Sequence, residues 1–235
     1  MSSFVFAPPA PVSLPIAQST QRFALRRVFC IGRNYGWAAP ADGTPAADRE
    51  PPVFFMKPND AVVPAEGVVP YPPETEEFCH EIEFVVAIGR AGQRIAPASA
   101  ADHIFGYAAG LDLTRRDQQK VARAQGLPWE GSKAFDASAP CSAIVPAAAI
   151  GHPQRGAVWL EVNGEARQKA DVADLIWGVP DLVSRVSHSV ALQPGDLIFT
   201  GTPAGVAALL PGDVVRAGVE GVATFELTIG PRPAA

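Results

Sequence analysis

The amino-acid sequence lacks the features that mark several classes of protein. Its three cysteines, Cys30, Cys79 and Cys141, are widely spaced and form no C-x-x-C pair, which argues against a disulfide framework and against a thiolate zinc site. Lysine and arginine number 19 against 24 aspartates and glutamates, so no basic stripe is offered to nucleic acid or to an acidic membrane surface. No apolar run approaches membrane-spanning length, and no signal-peptide pattern is found. We therefore expect a cytoplasmic protein with no nucleic-acid partner and no membrane partner.

Turn-forming residues, in contrast, are abundant. The 235 residues include 24 prolines and 21 glycines, which favours many short strands rather than a helical bundle. Residues 1–26 begin with a proline- and serine-rich stretch and are predicted to form an extended arm, followed by a single domain at 27–235. Residues 36–52 are rich in alanine, proline and aspartate without periodicity, which predicts a mobile lid. The predicted fold class is a β-rich α+β domain.

Local signals predict where several elements begin and end. A strand at 106–113 is followed by a helix at 115–125, with Thr114 as its N-cap and Gly126 at its end. A second helix, at 174–190, is predicted to be interrupted at Pro180. The dipeptide Asn163-Gly164 lies between two candidate strands and predicts a type I′ hairpin.

Two glutamates precede a continuous apolar run in the segment HEIEFVVAIG at 80–89. Because side chains alternate along a strand, Glu81 and Glu83 share one face. The residues that follow are typical of a strand buried on both faces, and an ionised carboxylate taken out of water must be paired or bound to a metal. A single carboxylate near a strand end is more often solvated or capping, so this pair is informative only together with a second acidic strand.

Asp112 supplies that second strand, since it follows the apolar segment YAAGL at 107–111. Three converging carboxylates would form an all-oxygen site for a hard divalent cation such as Mg²⁺. Arg116 and Gln119 follow Asp112 at i+4 and i+7, so they can share the helix face nearest the metal, and Arg116 offers a planar fork for a carboxylate. Lys133 is flanked by apolar residues, where a buried cation needs either an anionic ligand or a structural salt bridge.

At this point the chain resembles the fumarylacetoacetate hydrolase family over nearly its whole length, and is most similar to its fumarylpyruvate hydrolase and acylpyruvase members. Six segments carry the resemblance in order: CIGRNY at 30–35, FMKP at 55–58, HEIE at 80–83, LDLTRRDQQ at 111–119, SKAFD at 132–136 and GDLIFTGTP at 195–203. The resemblance implies a mixed β-sandwich roll, a homodimer, and metal-dependent cleavage of carbon–carbon bonds in 1,3-dioxo acids such as fumarylpyruvate, in the degradation of aromatic compounds. It makes 27–235 the catalytic domain.

The resemblance also implies roles for particular residues. Carried onto the matching positions, the ligands of an Mg²⁺ or Mn²⁺ ion are Glu81, Glu83 and Asp112. The positions that meet the carboxylate and keto oxygens of a small keto-acid substrate are Arg116, Gln119, Lys133 and Thr202. Lys133 is in addition a catalytic residue, since the metal and the lysine withdraw charge and stabilise the enolate that leaves.

The sequence departs from the family in the predicted lid. Related hydrolases provide a water-activating His and Glu in a pattern like N-Y-x-x-H-x-x-E, whereas this chain has Ala38 and Ala41 at those positions. Its four histidines all lie outside the lid, and the acidic residues nearby, Asp42, Asp48 and Glu50, are weaker bases near neutral pH.

Three hypotheses follow from this departure. The chain is a hydrolase of acylpyruvates that uses another base or metal-bound hydroxide. Alternatively, it is a metal-dependent decarboxylase of a β-keto acid such as oxaloacetate, a reaction that needs enolate stabilisation but no attacking water. The third hypothesis is a pseudoenzyme that binds small dicarboxylates.

Overall fold

Two β-sheets packed face to face form the body of the protein. The computed structural model describes residues 4–36 and 51–233. Within these residues the strands are β1 (Ser13–Pro15), β2 (Arg22–Ala24), β3 (Val28–Gly32), β4 (Val53–Lys57), β5 (Val62–Pro64), β6 (Val68–Val69), β7 (Phe78–Cys79), β8 (Ile82–Ile88), β9 (Ile104–Leu111), β10 (Thr114–Arg115), β11 (Ala139–Cys141), β12 (Val145–Pro146), β13 (Ala157–Val162), β14 (Glu165–Asp171), β15 (Leu197–Phe199), β16 (Val214–Val219) and β17 (Ala223–Ile229). The helices are α1 (Arg116–Gln125), α2 (Glu130–Lys133), α3 (Ala147–Ile150) and α4 (Val179–Ser189), with 3₁₀ turns at Asn59–Ala61, Pro97–His103 and Val172–Asp174.

The larger sheet has the order β4-β3-β15-β8-β9-β11-β5, and β12 pairs with β9 beside this path. Its pairs are antiparallel except for β15 with β3 and β11 with β5, which are parallel. The second sheet has the order β14-β13-β16-β17-β6. Strands dominate and the helices are few, so the predicted β-rich α+β fold of the sandwich-roll type is confirmed.

Strand β8 is buried on both faces, as its apolar run predicts. Side chains from Ile82, Phe84 and Val86 join the core between the two sheets, to which β13, β16 and α4 also contribute. Val85 and Ala87 point to the opposite face and join a second cluster with the N-terminal hairpin formed by β1 and β2. Glu83 shares the alternation of Val85 and Ala87, so its carboxylate points to the face opposite the main core.

Two predictions about helix ends are wrong. Thr114 does not cap α1: it lies in β10, paired with Cys79, and its hydroxyl donates to the carbonyl of Asp112 at 3.0 Å. Pro180 does not interrupt a helix, because α4 begins at Val179 and holds the proline in its first turn, where a missing N–H leaves no hydrogen bond unmade. At Thr114, pairing with a neighbouring strand therefore outweighed the N-cap signal. At Pro180, the helix starts later than its periodicity predicted, so the proline lies in the first turn.

Other local predictions are confirmed. Gly126 ends α1 in the left-handed region, with φ of 66°. Asn163 and Gly164 join β13 to β14 with φ values of 53° and 81°, as a type I′ turn requires. Of the predicted lid at 36–52, residues 37–50 lie outside the described residues, and with them Ala38, Ala41, Asp42, Asp48 and Glu50.

Candidate active site

Three buried carboxylates meet where β8 begins and β9 ends. The two strands are antiparallel with Ile82 opposite Leu111, so Glu81 and Asp112 lie side by side, and the amide of Asp112 donates to the carbonyl of Glu81 at 2.9 Å. One carboxylate oxygen each from Glu81, Glu83 and Asp112 lies within 4.8 Å of the other two. The relative exposures of these residues are 5%, 1% and 2%. The structure thus brings together the three carboxylates predicted from the sequence.

Glu83 is the member of this group that has no cationic partner in the part of the chain that the structure describes. Its Oε2 accepts a hydrogen bond from the amide of Gly201 at 2.8 Å, and none of the ion pairs among the described residues includes it. Burial raises the pKa of Glu83 well above its ordinary value, and the nearby carboxylates of Asp112 and Glu81 raise it further. Gly201 is required there, because its φ is +104° and a Cβ would lie 2.8 Å from the Cβ of Asn34.

Lys133, at the end of α2, neutralises the other two carboxylates. Its Nζ donates to Glu81 Oε2 at 2.7 Å, to Asp112 Oδ2 at 2.7 Å and to the hydroxyl of Thr114 at 2.6 Å. Burial lowers the pKa of Lys133, but the negative charges of Asp112 and Glu81 outweigh this effect and hold the pKa above its ordinary value. A structural salt bridge is therefore present, and the lysine also lines the cavity in which a ligand would bind.

Lys57, for which no role was predicted, is the second lysine paired with Asp112. Lys57 is the last residue of β4 and is 1% exposed, and its Nζ lies 2.9 Å from Asp112 Oδ1. The contact is an ion pair without hydrogen-bond geometry, so Oδ1 accepts no hydrogen bond from the described residues. Burial opposes ionisation of Asp112, yet Lys133 and Lys57 together hold its pKa below the ordinary value. A lysine ending the apolar run VFFMK is the signal that could have found it.

These observations fit a divalent cation. Glu83 is a buried carboxylate that forms no ion pair with any described cation, and it lies with Glu81 and Asp112 so that one oxygen of each is within 4.8 Å of the others. All the candidate donors are carboxylate oxygens, which Mg²⁺ and Mn²⁺ prefer. The three carboxylates could therefore hold such an ion.

Arg116 and Gln119 lie on the face of α1 that turns towards the carboxylates. The guanidinium of Arg116 donates to Glu81 Oε1 at 2.5 Å and to Gln119 Oε1 at 2.5 Å. Burial lowers the pKa of Arg116, but Glu81 raises it above the ordinary value. Helical spacing, as predicted, places both side chains on the face nearest the candidate metal position.

A cavity of about 380 Å³ opens beside the carboxylates. All seven residues predicted to be functional line it, together with Ile31, Gly32, Arg33, Phe55, Arg123, Trp129 and Pro203–Val206. The hydroxyl of Thr202 donates to the carbonyl of Ile82 at 2.8 Å and accepts from Gln168 Nε2 at 2.8 Å. Gln168 reaches this position from β14, and no local sequence signal indicated it. The structure thus groups the predicted residues; their roles stay predictions.

A family model for the C-terminal domain of fumarylacetoacetate (FAA) hydrolase matches residues 27–230. The chain belongs to the fumarylacetoacetate hydrolase family. Membership confirms the resemblance seen in the sequence, and the chain is accordingly an enzyme of this hydrolase family. Within the described residues, no helix is both long and apolar enough to span a membrane.

Several members of the fumarylacetoacetate hydrolase family are similar to the chain over most of its length. A fumarylpyruvate hydrolase from a Ralstonia species is 45% identical over 76% of this chain and 92% of its own. The fumarylpyruvate hydrolase of Pseudomonas aeruginosa, solved with Mn²⁺ and pyruvate, is 46% identical, with a TM-score of 0.92 over 98% of this chain and 100% of its own. A mitochondrial oxaloacetate tautomerase of Rattus norvegicus is 38% identical over 87% of this chain and 91% of its own.

Proposed function

We propose that the chain is a metal-dependent hydrolase that cleaves a carbon–carbon bond in acylpyruvates of the fumarylpyruvate type. The observation that carries the proposal is one cavity in which three buried carboxylates lie beside Lys133 and Arg116. Such a site can bind an anionic keto acid and stabilise negative charge that develops on it. The similarity to a fumarylpyruvate hydrolase that was solved with Mn²⁺ and pyruvate supports the proposed hydrolase activity.

The residues that would hold the metal are Glu81, Glu83 and Asp112. When bound there, an Mg²⁺ or Mn²⁺ ion supplies Lewis-acid polarisation of the keto oxygens. Lys133 is kept protonated by the carboxylates around it, so its positive charge can stabilise the oxygen on which the enolate charge develops. Arg116 is directed at the pyruvate carboxylate by its planar fork, and Gln119 fixes the position of that fork.

Hydrolysis requires water to attack the distal carbonyl and lose a proton, after which the carbon–carbon bond breaks and the pyruvate enolate takes up a proton. The described residues of the cavity include no histidine. Ala38 and Ala41 occupy the positions of the water-activating pair, and Asp42, Asp48 and Glu50 stay the proposed substitutes for the base. General acid–base groups contribute about 10² to 10⁴ in rate, so we expect slow hydrolysis.

An ultraviolet assay with fumarylpyruvate tests the proposal. We expect loss of the diketone-enol absorbance with Mn²⁺ or Mg²⁺, formation of fumarate and pyruvate, and no reaction in excess chelator. Absence of turnover at every metal concentration would reject the hydrolase.

A second candidate is a metal-dependent oxaloacetate decarboxylase or tautomerase. Alanine at positions 38 and 41 favours it, because both reactions pass through an enolate without an attacking water. The similarity to an oxaloacetate tautomerase agrees with this chemistry. The double substitution Ala38→His with Ala41→Glu discriminates: a large gain in acylpyruvate hydrolysis at unchanged Mn²⁺ affinity supports a decayed hydrolase, and no gain supports the second candidate. Binding of keto acids without turnover of either kind would leave the pseudoenzyme.

The homodimer, the cytoplasmic location and the division into an arm and a catalytic domain with a lid remain predictions.

A further inference from the structure

Among the described residues, four cationic side chains line the cavity, and two of these form no contact with a partner in that part of the chain. Lys133 and Arg116 are engaged with the buried carboxylates. Arg33 and Arg123 line the same cavity, and neither guanidinium makes a hydrogen bond, an ion pair or a ring contact with the residues of 4–36 and 51–233. Both residues are exposed to solvent, and two guanidinium groups that line one cavity could together hold an anion, since the planar fork of arginine matches a carboxylate.

Arg123 is placed by the register of α1. Arg116, Gln119 and Arg123 occupy positions i, i+3 and i+7 and so lie on one face of the helix. With a rise of 1.5 Å per residue, Arg123 lies about 10 Å further along the helix axis than Arg116. The same helix face therefore carries two arginines that line the cavity, Arg116 beside Glu81 and Arg123 two turns further along the helix.

Arg33 reaches the cavity from the loop after β3. Its φ is 59°, a left-handed conformation that few non-glycine residues adopt. The next residue, Asn34, fixes this backbone: its side chain donates to the carbonyls of Trp177 and Thr200 at 3.0 and 2.8 Å and accepts from the amide of Trp177 at 2.7 Å. The loop that presents Arg33 is thus anchored on a buried residue.

Formal charges indicate what these arginines can balance. With Glu83 ionised on a bound metal, the three carboxylates would carry three negative charges and Lys57, Lys133 and Arg116 three positive ones, although these cations pair with Asp112 and Glu81 and not with Glu83. A divalent cation would then be balanced by the anionic keto-acid end of a ligand. Arg33 and Arg123, both exposed, add two further positive charges, and neither forms an ion pair with a carboxylate of the described residues. A ligand with a negative charge at both ends would supply a carboxylate for these arginines.

We propose that Arg33 and Arg123 bind a second carboxylate, so that the enzyme selects acylpyruvates whose acyl group ends in a carboxylate over those that end in an alkyl group. The inference rests on the proposed function and specifies its substrate class. In fumarylpyruvate six carbon–carbon bonds of about 1.5 Å separate the two carboxyl carbons, so the extended molecule spans about 7–8 Å, somewhat less than the axial distance of about 10 Å between the backbones of Arg116 and Arg123. Phe55 and Trp129, whose ring centroids lie 5.7 Å apart, provide an apolar wall beside that span.

The test compares fumarylpyruvate with acetylpyruvate, which has the same keto-acid end and a methyl group at the other. Arg33→Met, Arg123→Met and the double variant are measured against the native protein and against Lys120→Met, a control on α1 whose amine pairs with Glu77 on the surface. Two quantities are read: kcat/KM, and the dissociation constant of each compound in calorimetry with Mn²⁺. We expect each arginine variant to weaken binding and kcat/KM for fumarylpyruvate about tenfold or more, with less than about threefold change for acetylpyruvate.

Equal losses for both compounds would overturn the inference, because the arginines would then act on the shared keto-acid end or on the fold. Unchanged values for both would overturn it as well, as would native protein that binds the two compounds equally or binds neither. Hydrolysis of fumarylpyruvate with no change in discrimination would reject the arginine site and leave the proposed function standing. Selective binding without turnover would support the arginine site and reject the hydrolase.

Discussion

Lys57 and Asp112 form an ion pair that is closed to solvent on both sides, with Nζ of the lysine 2.9 Å from Oδ1 of the aspartate. The same lysine donates to the carbonyls of Leu113 and Lys133, at 3.1 Å for Leu113, so it ties β4 to the end of β9 and to α2. A single residue thus holds the aspartate and the backbone of the second lysine in place.

Replacing Lys57 with methionine is therefore expected to destabilise the fold. Asp112 would keep one lysine, and we expect the free energy of unfolding to fall by about 3 kcal/mol, the lower end of the range for breaking a buried ion pair. Chemical denaturation measures this change. The surface control Lys120→Met should stay within about 0.5 kcal/mol of the native protein, and an equally small effect of Lys57→Met would show that the pair does not stabilise the fold.

Glu83→Gln separates metal binding from folding. The amide can still accept the hydrogen bond from Gly201, but it lacks the charge a metal needs, so we expect Mn²⁺ affinity in calorimetry to fall at least about 100-fold. Because the folded state raises the pKa of Glu83, native stability decreases as pH rises above the ordinary glutamate value of about 4. The variant should accordingly gain in relative stability over that range. Unaltered Mn²⁺ affinity would refute Glu83 as a ligand.

The pH dependence of Mn²⁺ binding follows from the same carboxyl group. With its pKa raised, metal-free Glu83 holds a proton at pH values where an ordinary glutamate is ionised, and that proton must leave before the oxygen can bind a cation. Apparent Mn²⁺ affinity should therefore increase with pH by up to about tenfold per unit until the raised pKa is passed. Calorimetry in buffers of different ionisation enthalpy counts the protons released. Release of none in the acidic part of the range would contradict the assignment.

Lys133→Met tests two roles of the lysine, the stabilisation of the buried carboxylates and the binding of a ligand in the cavity. Removal of the amine leaves Glu81 without its buried lysine and Asp112 with Lys57 alone. The free energy of unfolding of the metal-free variant should therefore fall by about 3–5 kcal/mol. Binding of Mn²⁺ should restore part of this loss. Oxalate, a mimic of the pyruvate enolate, should bind the Mn²⁺-loaded variant about tenfold or more weakly. An unchanged dissociation constant for oxalate would remove Lys133 from the ligand site while leaving its structural role intact.

The sequence predicted those residues of the candidate site that belong to local patterns of strand alternation or helical spacing. Glu81 and Glu83 were found because alternation along a buried strand puts two carboxylates where water is absent. Arg116 and Gln119 were found because helical spacing repeats every turn. The prediction that Thr114 is an N-cap was wrong because Thr114 pairs with a neighbouring strand. The prediction that Pro180 interrupts a helix was wrong because the helix starts only at Val179.

The sequence by itself determined the family, the fold class and the acidic triad, because these depend on alternation, burial and motifs within short segments. Only the tertiary structure decided that Lys57 and Lys133 share Asp112 and that Gly201 donates to Glu83. It also decided that Arg33 and Arg123 line one cavity without partners among residues 4–36 and 51–233. The physical reason is that these contacts join residues far apart in the chain through the order and register of the strands in the larger sheet. Register is fixed by the packing of whole sheets against each other, and no short segment of sequence contains that information.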